Sequence, residues 1–305
     1  IAAVGNAILS YTVDTNEFLS ALINKISLSI VSSKMASNRL APFKQGMLEY
    51  GSDVEEIFTD MAKANQYDPV VAERESRKCV IPNTKAIFHR ANREDFYKVT
   101  ISQVMLKRAF MSSDGLGKLV ASIVNSLYSG DNHDEYVLMK QLVADYFTKS
   151  TTNSVFIEVP KVIDQTTAQT FFRNVKQTST DMTFMSNKFN AQGVMQKSEQ
   201  NEQVLLLHKN VDTFLNTDLL AWVFNKGDMD FKTQVIVVDD FGSMANCQAV
   251  LCDKNFLMVW DKLYETTNEF NPQGLYYNYW LHHHQLLSTS QFQNAVMFKI
   301  DDGIA

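Results

Sequence analysis

Proline and glycine are scarce, at 5 and 11 in 305 residues. With 45% hydrophobic and 20% charged residues beside them, that scarcity excludes collagen-like repeats, linker-rich arrays and extended disorder. Cysteine is scarce too. Cys79, Cys247 and Cys252 form an odd set without a CxxC pair, so they read as reduced thiols and small hydrophobes, with no disulfide framework. No apolar run approaches the roughly 20 residues that a membrane-spanning helix needs, and no basic-then-apolar leader is read at the start. Positive charge is not in excess either. The 28 Lys and Arg against 34 Asp and Glu give a net charge of -6, which argues against high-affinity wrapping of nucleic acid. What remains is a globular chain long enough for two domains or one large two-lobed unit.

Charge is unevenly distributed. Nine basic and ten acidic residues fall among the 55 from 44 to 98, well above the 20% of the whole chain. This stretch cannot supply much core, yet it carries Val54, Ile57, Phe58, Ile81, Ile87, Phe88, Phe96 and Tyr97 in short clusters. It reads as an ordered excursion with a sticky face, an extended arm suited to docking on another subunit. Before it, apolar spacing predicts a short helix over 12–26, and alternation predicts a strand over 27–32. After it come two predicted helices. One covers 117–128, the Gly130-Asp131 pair breaks the chain, and a second covers 131–149 with Tyr136, Met139, Leu142, Val143, Tyr146 and Phe147 in one stripe. Alternating α/β order follows: strand 154–159, helix 166–177, strand 204–208, helix 210–224 and strand 233–238. A hairpin is predicted from 248–252 and 256–260, and long strands from 275–289 and 294–300.

Candidate chemistry is thin. His282-His283-His284 resembles a metal cluster, but on a strand only His282 and His284 share a face, and two ligands do not make a zinc site. The run Val235 to Val238 ending in Asp239-Asp240 has the form of a strand that offers carboxylates to Mg²⁺. The phosphate cradle that such a site needs is missing. At Gly117-Lys118 the P-loop pattern fails twice, because Ser112 stands where its first Gly belongs and Leu119 where its Ser/Thr belongs. There is no Gly-x-Ser-x-Gly elbow. No catalytic residue, cofactor or metal site is therefore expected.

Within the charged arm, Glu55-Glu56-Ile57-Phe58-Thr59-Asp60, Lys63 and Gln66-Tyr67-Asp68 resemble the major capsid proteins of small Bacillus podophages of the phi29 type. Ile87-Phe88-His89-Arg90, Asn92-Arg93 and Phe96-Tyr97 are similar to the same family's returning arm. The similarity continues through 122–128, Asp134-Glu135-Tyr136, Met139-Lys140, 271–279 and 290–296. The order is the same from Val4 to Phe298, and it is weakest over 164–202. The Bacillus members also carry an immunoglobulin-like domain after the last strand, which this sequence does not match.

The resemblance implies an α+β Hong Kong 97-type capsid fold. It would comprise an N-terminal arm (1–41), an E-loop hairpin (42–100), a peripheral domain with a spine helix (101–163), an axial α/β domain (164–264) and return strands (265–305). The implied function is mechanical: pentamers and hexamers of an icosahedral shell around double-stranded phage DNA, within the virion, assembled in the bacterial cytoplasm. Other copies of the chain, a portal, a scaffolding protein and non-specifically held DNA are the implied partners. Glu55, Glu56, Asp60, Arg74, Arg77, Arg90 and Arg93 are expected as inter-subunit contacts, with Phe58 and Phe88 as apolar anchors. Two rivals are an encapsulin-like cargo compartment and a Mg²⁺-dependent phosphate hydrolase built on Asp239 and Asp240.

Overall fold

The computed structural model describes residues 36–49, 51–64, 79, 81–104, 115–149, 155–214 and 233–301. In chain order the first elements are β1 (Lys44–Met47), β2 (Val54–Thr59), β3 (Thr84–His89), β4 (Arg93–Ser102), α1 (Gly115–Lys149), β5 (Val155–Val159) and α2 (Gln165–Asp181). Then follow β6 (Gln203–His208), α3 (Lys209–Phe214), β7 (Gln234–Val238), β8 (Cys247–Asp253), β9 (Leu257–Asn271), β10 (Tyr276–Thr289) and β11 (Ala295–Ile300). They form an α+β chain with two compact units, each assembled from three separate stretches. Among the described residues no helix is long and apolar enough to cross a membrane. The helix expected at 12–26, the strand at 27–32 and most of the helix at 210–224 lie outside the described residues.

The first unit comprises Ile1–Gly51, Ala91–Met139 and Val259–Leu287. Its sheet has the order β1-β9-β10-β4. The antiparallel β10–β4 register sets Tyr277 opposite Ile101, Tyr279 opposite Val99 and Leu281 opposite Tyr97. Because side chains alternate along a strand, these six share one face, and that face packs on Ile123, Leu127 and Tyr128 of α1. The turn between β9 and β10 is held by Asn271, whose Oδ1 accepts from the backbone of Gln273 and Gly274. Gly274 is required by space there, since a Cβ would stand 2.1 Å from the Tyr276 ring.

α1 corrects one expectation. The predicted break at Gly130-Asp131 does not occur, and the helix runs unbroken for 35 residues, about 50 Å at 1.5 Å per residue. A helical glycine costs only about 1 kcal/mol relative to alanine. Here tertiary packing outweighs it: Gly130 lies under the Tyr97 ring, and Asp131 is gripped by Arg93 and His283.

The second unit comprises Ser52–Arg90, Lys140–Met258 and Ser288–Ala305. Its five-stranded sheet has the order β5-β11-β8-β6-β7, parallel at β5/β11 and β6/β7 and antiparallel at both edges of β8. Every residue of β8 is buried. That burial overturns the hairpin predicted over 248–260. Both edges of β8 are taken by β11 and β6, so the turn at Asp253 sends the chain on to β9, which belongs to the other sheet. α2 starts at a capping box, in which Asp164 accepts from Thr167 N at 2.8 Å and Thr167 Oγ1 accepts from Asp164 N at 3.1 Å. The helix buries Ala168, Phe171 and Val175 against Leu205, Leu251, Val296 and Phe298 of the sheet.

Candidate functional site

The β2–β3 hairpin shows how alternation sorts its residues. Glu55 pairs with Phe88, Ile57 with Ala86 and Thr59 with Thr84, so these six share a face. That face is open: Ile57 is 62% and Phe88 64% exposed, and Met61 and Ile81 beyond its end are exposed as well. The opposite face is turned into the chain. Phe58 lies against Phe292 with ring centroids 5.7 Å apart, Lys85 donates to the Gln192 carbonyl at 3.1 Å, and Glu56 accepts from Ser290 Oγ and faces His89 Nε2 at 3.4 Å.

The expected contact residues thus separate. Glu55, Asp60, Phe88 and Arg90 lie at the surface, Asp60 accepting from Asn83 and Arg90 paired with Asp53 at 3.2 Å. Arg74 and Arg77 lie outside the described residues. The side chains of Glu56, Phe58 and Arg93 are engaged within the chain. Ile57, two residues from Glu55 on an alternating strand, lies on the same outward face.

Arg93 anchors a buried ion network in the first unit. Its guanidinium donates to Asp131 Oδ1 at 2.9 Å, Asp95 Oδ2 at 2.7 Å, Tyr97 Oη at 2.8 Å and Gln285 Oε1 at 2.5 Å. α1 presents Asp131 and Glu135 one turn apart on one side. Lys44 Nζ bridges Glu135 Oε1 at 2.8 Å and Asp261 Oδ2 at 3.0 Å, while Gln285 Nε2 donates to the same two carboxylates. Asn38 Nδ2 donates to the other Glu135 oxygen at 2.8 Å. His283 joins Asp131, 2.6 Å from Nδ1, to Asp261, 3.1 Å from Nε2.

Electrostatics follow from this geometry. Burial works against the charged forms of Lys44, Arg93, Glu135 and Asp261, but their partners outweigh it. Lys44 is raised by Glu135 and Asp261, Arg93 by Asp95 and Asp131, and Glu135 is lowered by Lys44 and Asn38. Asp261 is held well below the usual carboxylate range by His283, Gln285 and Lys44. Glu135, Asp261 and His283 bring ligating atoms within 4.8 Å of one another. The Lys44 ammonium already stands between the two carboxylates, and the imidazole nitrogens already face acceptors, so the donor set is that of an ion network and not of a metal centre. Each of the four main partners looked different in the sequence: Arg93 like an inter-subunit contact, Asp131 like a helix breaker, His283 like the odd member of a histidine run and Lys44 like part of a charged arm.

Other candidates resolve into local structure. His282 and His284 face away from His283, His282 lying 3.1 Å from Thr267 Oγ1 and beside the Phe96 ring. Asp239 and Asp240 both hold the buried Lys140 ammonium, at 2.8 and 3.2 Å, and Asp240 also accepts from Gly242 N in the turn. Cys247 and Cys252 are buried, and burial pushes both thiols far above the ordinary cysteine value, whereas Cys79 is exposed.

Comparison with known proteins adds three findings. The family model described as Phi29-like phage major capsid protein matches residues 1–299. The chain is 38% identical over 307 residues to the major capsid protein of Bacillus phage B103, covering 100% of the chain and 68% of that protein. With that of Bacillus phage GA-1 it is 35% identical over 300 residues, covering 98% and 63%. The chain thus spans about two thirds of the length of these relatives. Among solved structures, the capsid of Staphylococcus phage Andhra superposes with a TM-score of 0.72 at 13% identity, covering 88% of this chain and 85% of that one. The capsid of Cyanophage P-SCSP1u superposes with a TM-score of 0.60 at 8% identity, covering 89% and 90%.

Proposed function

This chain belongs to the Phi29-like phage major capsid protein family and has the Hong Kong 97-type capsid fold, and from that premise we propose that it is the shell-forming subunit of an icosahedral phage head. The observation that supports this most is the family match along residues 1–299, in which both units take part. The role is structural, and we assign the chain no catalytic step. In this reading pentamers and hexamers form from copies of the chain, with a portal, a scaffolding protein and packaged double-stranded DNA as further partners and the host cytoplasm as the place of assembly. The segments 1–41, 42–100, 101–163, 164–264 and 265–305 act as N-terminal arm, E-loop, peripheral domain, axial domain and return strands.

The outward hairpin face is the contact surface we propose. Ile57 and Phe88 supply exposed apolar area, and Glu55, Asp60 and Arg90 form a charged rim around it. Each exposed ion pair is worth about 0–1 kcal/mol, so individual contacts stay weak and reversible while a closed lattice sums many of them. The test is a chain carrying Ile57→Asp and Phe88→Asp. Both side chains are mostly solvent-exposed, so the variant should melt like the parent but lose particle formation in sedimentation. Unchanged particle yield would overturn the assignment of this face. Nuclease-protected DNA inside particles purified from infected cells distinguishes a genome shell from a cargo compartment.

A further inference from the structure

We propose that His283 is a buried imidazolium, protonated on both nitrogens at neutral pH, that compensates the buried carboxylates around it and makes the first unit sensitive to alkaline pH. Two features of the geometry carry this. First, both ring nitrogens face carboxylates, Nδ1 at 2.6 Å from Asp131 Oδ1 and Nε2 at 3.1 Å from Asp261 Oδ1. A carboxylate is only an acceptor, and a neutral imidazole carries a single N–H, so one nitrogen would point a lone pair at a carboxylate oxygen. Only the imidazolium donates to both. Second, with Asp95 half-exposed and screened by solvent, the charges of the more buried members balance only with that proton. Lys44 and Arg93 oppose Asp131, Glu135 and Asp261, and the Arg93, Asp131 and His283 side chains are 3% exposed or less. Without the imidazolium a buried negative charge is left uncompensated, which is costly at low dielectric.

The surroundings agree from every side. β1 brings Lys44, β4 brings Arg93, Tyr97 and, directly opposite His283 in the register, the half-exposed Asp95, α1 brings Asp131, Glu135 and Tyr128, and β9 brings Asp261 and Tyr264. Tyr264 meets the His283 ring in a T-shaped arrangement with centroids 4.8 Å apart, closing that side of the imidazole. Burial alone would favour the neutral ring, but the two carboxylates outweigh it and hold His283 above its ordinary value of 6.5. A raised folded value means that the stabilisation is complete below about pH 6.5 and is lost as pH rises through the folded value. The inference concerns the chain itself and does not rest on the shell reading.

The experiment is nitrogen NMR of the full-length chain labelled at histidine, titrated from about pH 6 to about pH 9, with His283→Gln identifying the resonance. The expected result is a histidine with both nitrogens protonated at pH 6.5 and a midpoint above that of free histidine. A neutral tautomer at pH 6.5, or a midpoint at or below the free value, overturns the proposal. Thermal melting provides a second readout. The parent should lose melting temperature across that alkaline range, and Asp261→Asn, which keeps a hydrogen-bonding group but removes one charge, should move the loss to lower pH. Superimposable pH profiles for parent and Asp261→Asn would also overturn it.

Discussion

Replacing Arg93 by methionine tests whether the buried network is a fold-specifying element. The side chain is 3% exposed and donates to four acceptors, of which Asp131 is equally buried. Methionine fills similar space but, among the described residues, leaves Asp131 with His283 alone and strips Gln285 Oε1 of the Arg93 donor. Removing one partner of a buried pair costs about 3–5 kcal/mol, against about 0–1 for an exposed pair. The expected loss is therefore two or more orders of magnitude in the folding equilibrium, at about 1.4 kcal/mol per factor of ten. Combining Arg93→Met with Asp131→Asn removes the orphaned charge, so the double variant should lose less than the sum of the singles by about 1–3 kcal/mol. Urea unfolding followed by tryptophan fluorescence reads this directly, since Trp260 and Trp280 lie on β9 and β10 of the same unit. A loss under about 1 kcal/mol, or strict additivity, would refute the reasoning and return Arg93 to the surface role that its sequence context suggests.

Three further outcomes are expected. Gly130→Ala should stabilise the chain by about 0.5–1 kcal/mol in the same denaturation assay, because the position is helical and the new Cβ would meet Tyr97 Cδ1 at an ordinary 3.5 Å. Thiol titration at mildly alkaline pH should find Cys79 reactive in the native chain, with Cys247 and Cys252 reacting only after denaturation. Acid should weaken the first unit. Glu135 and Asp261 have folded values below their ordinary 4.5 and 3.8, so their stabilisation is present above those values and is lost as pH falls through the folded ones. Glu135→Gln should start less stable and show a shallower acid loss in a melting series.

Much of the fold was legible because its signals are local. The apolar runs that became β6, β7, β10 and β11 carry their burial pattern in adjacent residues, and α2 was placed to within a few residues of its observed bounds. The failures share one cause, which is partners far away in the chain. Gly130-Asp131 has the composition of a turn, but Tyr97, Arg93 and His283 pack on it and hold it helical. The turn at Asp253 looks like a hairpin until β11 and β6 are seen to fill both edges of β8. The two faces of the β2–β3 hairpin were half legible. Charge density marked the segment, but only the β2–β3 register separates Ile57 and Phe88 outside from Glu56 and Phe58 inside.

The central claim is that copies of this chain close into a shell. Electron microscopy of the purified chain, paired with its sedimentation coefficient, tests it most directly. The account predicts closed particles on the order of tens of nanometres across, built from symmetric rings of subunits. A chain that stays a monomer or dimer, even with a scaffolding protein supplied, would contradict it.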